Sequence, residues 1–324
     1  MVFLYQDYKK KLELPILLLA YNRPLLIKKV IKSLRKIKPK YLYIACDGPK
    51  DFIKKDITLV KETRSVIEDQ IDWNCTKKKL YRDKNKGCRF GVSEAITWFF
   101  KYVNEGIILE DDCIPHPDFF AFTEELINYY RNNKKIWIIS GNNFQNGNWR
   151  GDGSYYYSRY PHCWGWATWR DRWEHYSEES VCWKNLKQTN MIQNVFTNKK
   201  ERIYWSKIFD RLYDKNWPDS WAYRWFLVCQ INRGLNVLPN RNLVSNIGFG
   251  SEGTHTKNSY AQTKINCLPN EEIGLLPIRH PTFLLRSNDA DSYTFFYHFN
   301  PPLYLRIIRK IKKFFIDYIK SHFL

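Results

Sequence analysis

The sequence predicts an α/β fold, with a mixed, mostly parallel sheet flanked by helices. First, short continuous apolar runs such as PILLLAYNRP (15–24) are typical of strands that are buried on both faces. Second, segments with helical periodicity separate these runs, so strands and helices alternate through residues 15–110. A hydrophobic content of 44%, including many of the 17% aromatic residues, is enough for a packed core.

The elements of the first half follow one another without a linker. The run at 15–24 ends in Asn-Arg-Pro, which stops a strand, and apolar residues then recur at helical spacing through 25–37. A helix at 220–233 is expected in the second half, which is rich in Trp and Tyr. The remaining predicted elements are a buried strand at 40–50, a polar helix at 51–72, a short strand at 79–82, a helix at 91–106 and a strand at 107–110.

Charge and cysteine content restrict the functional classes. The chain has 324 residues and a net charge of +19, which favours anionic partners such as nucleotides, nucleic acid or an acidic membrane. Its eight cysteines form no C-x-x-C pair, so we expect free thiols in a reducing compartment. The early apolar run is too short for a secretory signal, and we therefore expect a cytoplasmic protein.

Three adjacent carboxylates end one of the buried strands. GIILEDDCIPHPDFF (106–120) runs from an apolar stretch directly into Glu110, Asp111 and Asp112. Ligands of parallel sheets collect at the carboxyl ends of strands, where Asn22-Arg23 and Asp47 are also expected. Mg²⁺ and Mn²⁺ are held there by one or two carboxylates and by phosphate oxygens of a substrate. A plain solvated acidic turn is the alternative.

The chain contains six motifs in the order LLLAYNRP, YIACDG, GIILEDDCIPHPDFF, CWGWATW, WPDSWAYRWF and NLVSNIGFGSEGTHT. Together they resemble the nucleotide-sugar glycosyltransferases of the GT-A fold. The sequence is similar to the N-acetylglucosaminyltransferase I type and to related bacterial glycosyltransferases over about 15–256. In that family the acidic triplet is a variant of the Asp-x-Asp motif.

The resemblance implies a fold, a reaction and a setting. Residues 1–300 would form a Rossmann-like GT-A domain, with a nucleotide-binding half at about 15–115 and an acceptor half at about 116–260. The enzyme would transfer a sugar with inversion from a nucleotide sugar to a glycan or lipid-linked glycan in surface polysaccharide synthesis. A UDP-sugar is the expected donor, with UDP-N-acetylglucosamine as the default, and deoxythymidine or guanosine diphosphate sugars stay open.

The resemblance also implies roles for the residues at the three strand ends. Asp112 corresponds to the direct ligand of Mn²⁺ or Mg²⁺, Asp111 to the residue that reaches the ribose, and Glu110 to the one that contacts the sugar. Arg23 corresponds to an arginine near the uracil. Asp47 corresponds to the acceptor of the base N3–H, which suits an ionised carboxylate.

Other implied contacts lie further along the chain. Lys86 or Arg89 would contact phosphate, with a plain surface cation as the alternative for each. His255, in a glycine-rich loop, would reach phosphate or metal, or else be simply exposed. Trp164 and Trp166 would line the pocket for the donor sugar and the acceptor, or else anchor the core.

Asp219 is the candidate catalytic base. WPDSWAYRW places this carboxylate in the stretch that carries two acids in related enzymes, and Ala222 stands where some relatives have the second. The alternative is that Asp219 caps the N-terminus of the helix at 220–233, a position that Asp favours.

The segment 303–324 stands outside the resemblance. Its apolar residues share one helical face, and it carries six Lys or Arg residues against one Asp. A basic amphipathic helix of this kind predicts peripheral attachment to an anionic membrane, at the inner face of the plasma membrane. A helix docked on its own domain is the alternative.

Three other functions compete with sugar transfer. A sugar nucleotidyltransferase would need a glycine-rich phosphate loop after the first strand, and AYNRPLL has no glycine. A nucleic-acid-binding protein would fit the charge, but the charge is diffuse and no recognised motif occurs, so we expect no nucleic acid partner. A non-catalytic relative with only a binding role is the third.

Overall fold

The computed structural model describes residues 12–177, 179, 181–248, 274–308 and 311. Ten strands lie in these residues. They are β1 (Ile16–Ala20), β2 (Tyr41–Cys46), β3 (Thr76–Tyr81), β4 (Glu105–Glu110), β5 (Cys113–Pro115), β6 (Ile136–Ser140), β7 (Tyr155–Ser158), β8 (Trp166–Trp169), β9 (Leu235–Pro239) and β10 (Val244–Asn246).

Helices connect and cover these strands. The helix that ends at Thr294 continues into a π-helical turn at Phe295–Phe299, and residues 303–308 are helical again. The described helices are α1 (Pro24–Ile37), α2 (Lys54–Gln70), α3 (Gly87–Phe100), α4 (Pro117–Tyr130), α5 (Arg170–Trp173), α6 (Val181–Gln188), α7 (Ile192–Val195), α8 (Lys199–Asp214), α9 (Trp221–Ile231) and α10 (Asn288–Thr294).

Eight strands form the central sheet, in the order β3-β2-β1-β4-β8-β6-β9-β7. The first four run parallel to one another, and β6 and β9 are also a parallel pair. Strand β8 is antiparallel to both of its neighbours, and β7 is antiparallel to β9. The predicted fold class, a mixed and mostly parallel sheet flanked by helices, is therefore confirmed.

The core lies on both faces of the sheet. Along β1, Leu18 packs into a layer with α1, α2 and α4, whereas Leu17 and Leu19 pack into a layer with α3 and α9. Both faces are buried, which explains why the strand reads as one continuous apolar run. A third cluster, rich in aromatic rings, joins α8, α9 and the π-helical turn.

Local sequence explains the limits of α1. The helix starts with Pro24, whose fixed φ suits the first turn, and ends before Lys38, which adopts a left-handed conformation at φ 49°. Its apolar stripe, which includes Ile27, Val30 and Leu34, is buried. The helix predicted at 25–37 is thus confirmed, with its start one residue earlier.

The helix predicted at 91–106 is correct in type but wrong in its limits. Helix α3 runs from Gly87 to Phe100, and β4 begins at Glu105, which pairs with Trp169 of β8. Residues 105 and 106 therefore belong to the sheet ladder. A Cβ on Gly106 would lie 2.3 Å from the Phe99 ring, so the strand and the helix approach closely at this glycine.

Strand β3 forms one edge of the sheet and is longer than predicted. Its residues Thr76, Lys77, Lys78 and Lys79 are exposed. Because of these lysines the strand does not form a continuous apolar run, and the sequence predicts a strand only at 79–82. At the other edge, Tyr157 of β7 bridges to Arg286.

No described helix is long and apolar enough to cross a membrane. Of the segment predicted to be a basic amphipathic helix, only residues 303–308 and 311 belong to the described structure. Most apolar side chains of this part are exposed, namely Leu303, Tyr304, Ile307, Ile308 and Ile311, whereas Leu305 is half-buried.

Candidate active site

The carboxyl ends of β1, β2 and β4 meet at one edge of the sheet. Leu19 is in register with Glu110, and Ala20 with Cys46. The polar residues that follow these strands therefore surround one cavity of about 550 Å³. It is lined by Asn22, Arg23, Lys50, Asp47, Arg82, Asn85, Cys88, Glu110, Asp111 and Asp219, among others.

The guanidinium of Arg23 forms ion pairs with two acids of the triplet, Asp111 and Asp112. Arg23 Nη1 donates to Asp111 Oδ1 at 3.2 Å and to Asp112 Oδ2 at 3.0 Å, and Tyr21 N donates to Asp111 Oδ2 at 3.3 Å. The remaining carboxylate, Glu110, faces the cavity. Among the described residues Arg23 is the cation that forms ion pairs with these acids, so the three adjacent acids outnumber it at this strand end.

Two of these carboxyl groups, Glu110 and Asp111, have shifted pKa values. Burial, followed by the neighbouring charge of Asp112, raises the pKa of both Glu110 and Asp111 above the ordinary carboxyl range. Arg23 acts in the opposite direction, but it is too weak to offset burial and repulsion. A site of this kind favours the binding of additional positive charge.

Asp112 lies beneath the segment that follows β10. Asn246 Nδ2 donates to Asp112 Oδ1 at 3.4 Å, and Ile247 N donates to the Asp112 carbonyl at 2.8 Å. A Cβ on Gly248 would lie 2.0 Å from Asp112 Oδ2, so only glycine permits this approach. The loop predicted to close over a diphosphate starts here, and its His255 lies outside the described residues.

The donor set fits a divalent cation that shares its ligands with a substrate. Among the residues that the structure describes, no group of three or more His, Cys, Asp or Glu is arranged as a ready-made metal site. Asp112 and its acidic neighbours would provide one or two ligands, and phosphate oxygens and water would complete the shell. Mg²⁺ and Mn²⁺ are commonly bound in this way.

Asp47 orders the connection that leads into α3. Its carboxylate accepts hydrogen bonds from Gly48 N at 3.0 Å, from Lys86 N at 3.0 and 3.1 Å, and from Asn85 Nδ2 at 3.1 Å. Burial raises its pKa despite these donors. The residue predicted to receive a base N–H thus also holds the wall of the cavity.

Two cavity-lining cations are not those predicted from the sequence. Arg82 and Lys50 line the cavity, whereas the Lys86 side chain is exposed and Arg89 donates to Asn216 Oδ1 at 2.6 Å. Neither Lys86 nor Arg89 is among the lining residues. Arg82 directly follows the last residue of β3, so the strand-end rule that singled out Asp47 would also have found it.

The Asp219 side chain contacts the N-terminus of α3 and does not cap α9, the helix that follows it in the sequence. Its Oδ2 accepts a hydrogen bond from Cys88 N at 3.1 Å, and the N-cap of α9 is Ser220, which makes no side-chain cap bond. The helix-cap alternative is therefore wrong for α9. The contact brings a carboxylate of the second half to the wall of the cavity, at the N-terminus of α3.

A second cavity of about 560 Å³ adjoins the first and shares Arg23, Cys88 and Glu110 with it. Its remaining wall is largely aromatic, and Trp164 belongs to it. Trp166 is fully buried and stacks on Trp221 with ring centroids 5.6 Å apart. Of the two tryptophans predicted to face a ligand, the structure brings only Trp164 to a cavity.

His162 also lines the second cavity, and the sequence did not single it out. The side chain is buried, and its Nε2 has no hydrogen-bond partner among the described residues. Burial lowers the pKa of His162 to about 3, so its imidazole is neutral at physiological pH. A neutral imidazole can donate to or accept from a ligand hydroxyl. The signal in the sequence was a lone histidine inside the aromatic run at 155–173.

The raised pKa of Glu110 predicts a pH-dependent stability in metal-free protein. Between the ordinary glutamate value of about 4.3 and the raised value of about 8, the unfolded chain releases the proton and the folded chain keeps it. The free energy of unfolding should therefore fall as pH rises through this window, by up to about 5 kcal/mol at about 1.4 kcal/mol per pKa unit. Denaturant unfolding in EDTA at several pH values measures this.

Matched variants distinguish the effect of Glu110 titration on stability from that of the other titratable groups. Glu110→Gln removes the titration, so its unfolding free energy should fall less steeply with pH than that of the wild type. Glu62→Gln, on an exposed position of α2, should follow the wild-type curve. Parallel curves for Glu110→Gln and the wild type would contradict the assignment.

Comparison with known proteins finds only distant structural similarity. No protein-family model matches the chain, and no curated protein matches it. A mannosyltransferase of Pyrobaculum calidifontis, solved with GDP-Man and Mn²⁺, aligns at 10% identity and a TM-score of 0.34, over 49% of this chain and 45% of that one. The match thus spans less than half of the mannosyltransferase.

Two further solved structures overlap a similar share of the chain. HddC of Yersinia pseudotuberculosis aligns at 11% identity and a TM-score of 0.30, over 49% of this chain and 77% of that one. A glucose-1-phosphate thymidylyltransferase, so described for Bacillus anthracis, aligns at 11% identity and a TM-score of 0.33, over 52% and 76%. These similarities are too distant to place the chain in a family.

Proposed function

We propose that the protein is a metal-dependent, inverting glycosyltransferase that moves a sugar from a nucleotide sugar to a glycan or lipid-linked glycan. The observation that carries the proposal is the pair of adjoining cavities that share the acidic end of β4. The first is lined by acids and by the cations Arg23, Lys50 and Arg82, and the second is largely aromatic. This division suits a charged donor on one side and a sugar acceptor on the other.

The first cavity would hold the nucleoside diphosphate. Asp112, which lines the second cavity where it adjoins the first, would bind Mn²⁺ or Mg²⁺ together with Asp111 and Glu110. Such a cation supplies charge neutralisation to the leaving diphosphate. Arg82 and Lys50 add positive charge to the same wall. Arg23 and Asp47 would lie close to the base, and because the resemblance makes them equivalent to uracil-binding residues, a UDP-sugar is the donor in this proposal.

The second cavity would position the acceptor. Trp164 and Phe144, whose ring centroids lie 5.1 Å apart, offer apolar faces to the C–H surface of a sugar. His162 offers a neutral polar group beside them. The wall thus combines broad apolar contact with a few polar groups, as ligand pockets generally do.

Asp219 is the base in this proposal. The acceptor hydroxyl would give its proton to the Asp219 carboxylate, and its oxygen would form a bond to the sugar C1. The bond from C1 to the diphosphate oxygen would break from the opposite face, with inversion. The position of Asp219 in the donor cavity, beside the shared residue Cys88, supports this role.

The acceptor proposed here is a surface glycan or its lipid-linked precursor. Membrane attachment through 303–324, at the inner face of the plasma membrane, stays part of the proposal, although most of that segment lies outside the described residues. Deleting 303–324 should weaken binding to anionic liposomes, and unchanged binding would contradict this part.

A ligand panel tests the function. UDP, dTDP and GDP, each with and without MnCl₂, should be compared by thermal shift, because a ligand that binds only the folded state raises its stability. We expect UDP to stabilise the protein only when Mn²⁺ is present, by about 3 kcal/mol at a hundred-fold excess over Kd. The corresponding UDP-sugars should do the same.

Product analysis then separates the competing enzymes. A glycosyltransferase releases nucleoside diphosphate from a nucleotide sugar, whereas a sugar nucleotidyltransferase makes pyrophosphate from a nucleoside triphosphate and a sugar 1-phosphate. Mass spectrometry of both mixtures distinguishes them. A protein that no nucleotide stabilises, at millimolar concentration with metal, would contradict both enzymes and favour a binding role.

A further inference from the structure

An exposed apolar patch lies beside the candidate active site, and none of the proposed chemistry uses it. Phe52 is 99% exposed, Leu25 is 75% exposed, and Ile53 and Ile57 are each about half exposed. We call these four residues the Phe52 patch. Leu25 is in the first turn of α1, and the other three lie at or near the start of α2.

The four residues belong to one surface. Leu25 and Ile53 line a common depression of about 420 Å³ between the starts of α1 and α2. Ile57 lies in the first turn of α2, next to Asp56, which lines the same depression. Phe52 directly precedes Ile53 and projects fully into solvent.

The backbone at Phe52 is unusual for so large a side chain. Its φ is 64°, in the left-handed region, which glycine adopts without cost and which bulky residues rarely adopt. A fully exposed phenylalanine gains nothing from packing that would offset this conformation. Because the fold itself does not stabilise this conformation of Phe52, we infer that the side chain contacts another molecule.

The surroundings of the patch are positively charged. Lys28, Lys29, Lys50, Lys54 and Lys55 are all exposed, and Lys50 and Lys55 line the same depression as Leu25. The neighbouring Asp51 is exposed, whereas the carboxylate of Asp56 is buried and accepts from Tyr21 and Asn22. An apolar centre ringed by lysines is complementary to an anionic bilayer, where apolar side chains enter the interface and lysines meet lipid phosphates.

We propose that the Phe52 patch is a membrane-docking surface that inserts Phe52, with Leu25, Ile53 and Ile57 around it, into the interface of an anionic bilayer. The depression at the patch shares Asn22, Arg23 and Lys50 with the donor cavity. Docking therefore holds the candidate active site at the membrane surface. The membrane contact itself does not depend on the proposed sugar transfer, so each can fail alone.

Vesicle partitioning of the full chain tests the proposal. The partition coefficient should be measured with vesicles of phosphatidylcholine alone and of phosphatidylcholine mixed with phosphatidylglycerol. We expect binding to the mixed vesicles, which added NaCl weakens. Phe52→Ser should lower the coefficient by about ten-fold, the loss expected for one large apolar side chain, and Phe52→Leu should retain most of the binding.

A matched control and two contrary outcomes complete the design. Phe283 is 70% exposed and follows a segment packed on β7, at the other edge of the sheet, so Phe283→Ser should bind as the wild type does. Equal binding of Phe52→Ser and wild type would overturn the proposal and leave 303–324 as the anchor. A dimer in sedimentation that Phe52→Ser dissociates would also overturn it, because a second copy would then cover the patch.

Discussion

Replacing Asp112 with asparagine should lower sugar transfer by about 100-fold or more, because the residue is the proposed metal ligand and a bound cation contributes several kcal/mol to such a reaction. The change is nearly isosteric, so Gly248 and Asn246 can keep their approach to the side chain. Release of UDP from a UDP-sugar, followed over time with excess MnCl₂, measures the effect. The Mn²⁺-dependent stabilisation by UDP should disappear as well.

A measurement of stability distinguishes loss of metal binding in Asp112→Asn from misfolding. The substitution removes one of three mutually repelling carboxylates, so the metal-free Asp112→Asn protein should be at least as stable as the wild type. Asp72→Asn, which changes an exposed carboxylate paired with Arg35, is the matched control and should keep full activity. An active Asp112→Asn enzyme would contradict the metal-ligand role.

Removing Arg23 should have the largest effect on stability. Its guanidinium neutralises Asp111 and Asp112, and the three side chains are largely buried, with exposed fractions of 16%, 8% and 13%. Truncating one partner of a buried ion pair leaves uncompensated charge, so Arg23→Ala should destabilise the metal-free protein by about 3 kcal/mol. Denaturant unfolding in EDTA measures this difference.

Metal should partly replace the missing charge. With excess MnCl₂ in place of EDTA, the stability lost in Arg23→Ala should be partly regained, because the cation binds the same carboxylates. Arg35→Ala breaks the exposed pair with Asp72 and should cost less than about 1 kcal/mol, with no effect of metal. If Arg23→Ala equals the wild type in EDTA, Arg23 is not the counter-charge of the triplet.

The first half of the fold could be predicted because it follows short-range rules. Buried parallel strands are apolar on both faces, as Leu17 and Leu18 illustrate on β1. In the helix that follows, the apolar residues recur every three or four positions. Strand β3 escaped the same rule because it is an edge strand whose exposed positions carry lysines. Burial, and not strand formation as such, was what the pattern detected.

The strand-end residues of the site could be predicted for the same reason, but contacts across long sequence separations could not. The hydrogen bond from Cys88 N to Asp219 joins positions 131 residues apart. Trp164 lines a cavity and Trp166 is fully buried. The chain turns between them at Gly165, whose φ is 62°. No local pattern indicates which tryptophan faces a cavity once the chain turns in this way.

The lysines of β3 affect how the molecule behaves among its own copies. An unpaired edge strand presents free N–H and C=O groups to any other extended chain, which makes it a starting point for aggregation. In this chain the edge carries Lys77, Lys78 and Lys79 in succession, and all three are exposed. Two copies that approached edge to edge would bring like charges together. Among the described strands, the edge formed by β3 is therefore protected from intermolecular strand pairing, so the mixed sheet can keep this edge at high local concentration, such as on a crowded surface.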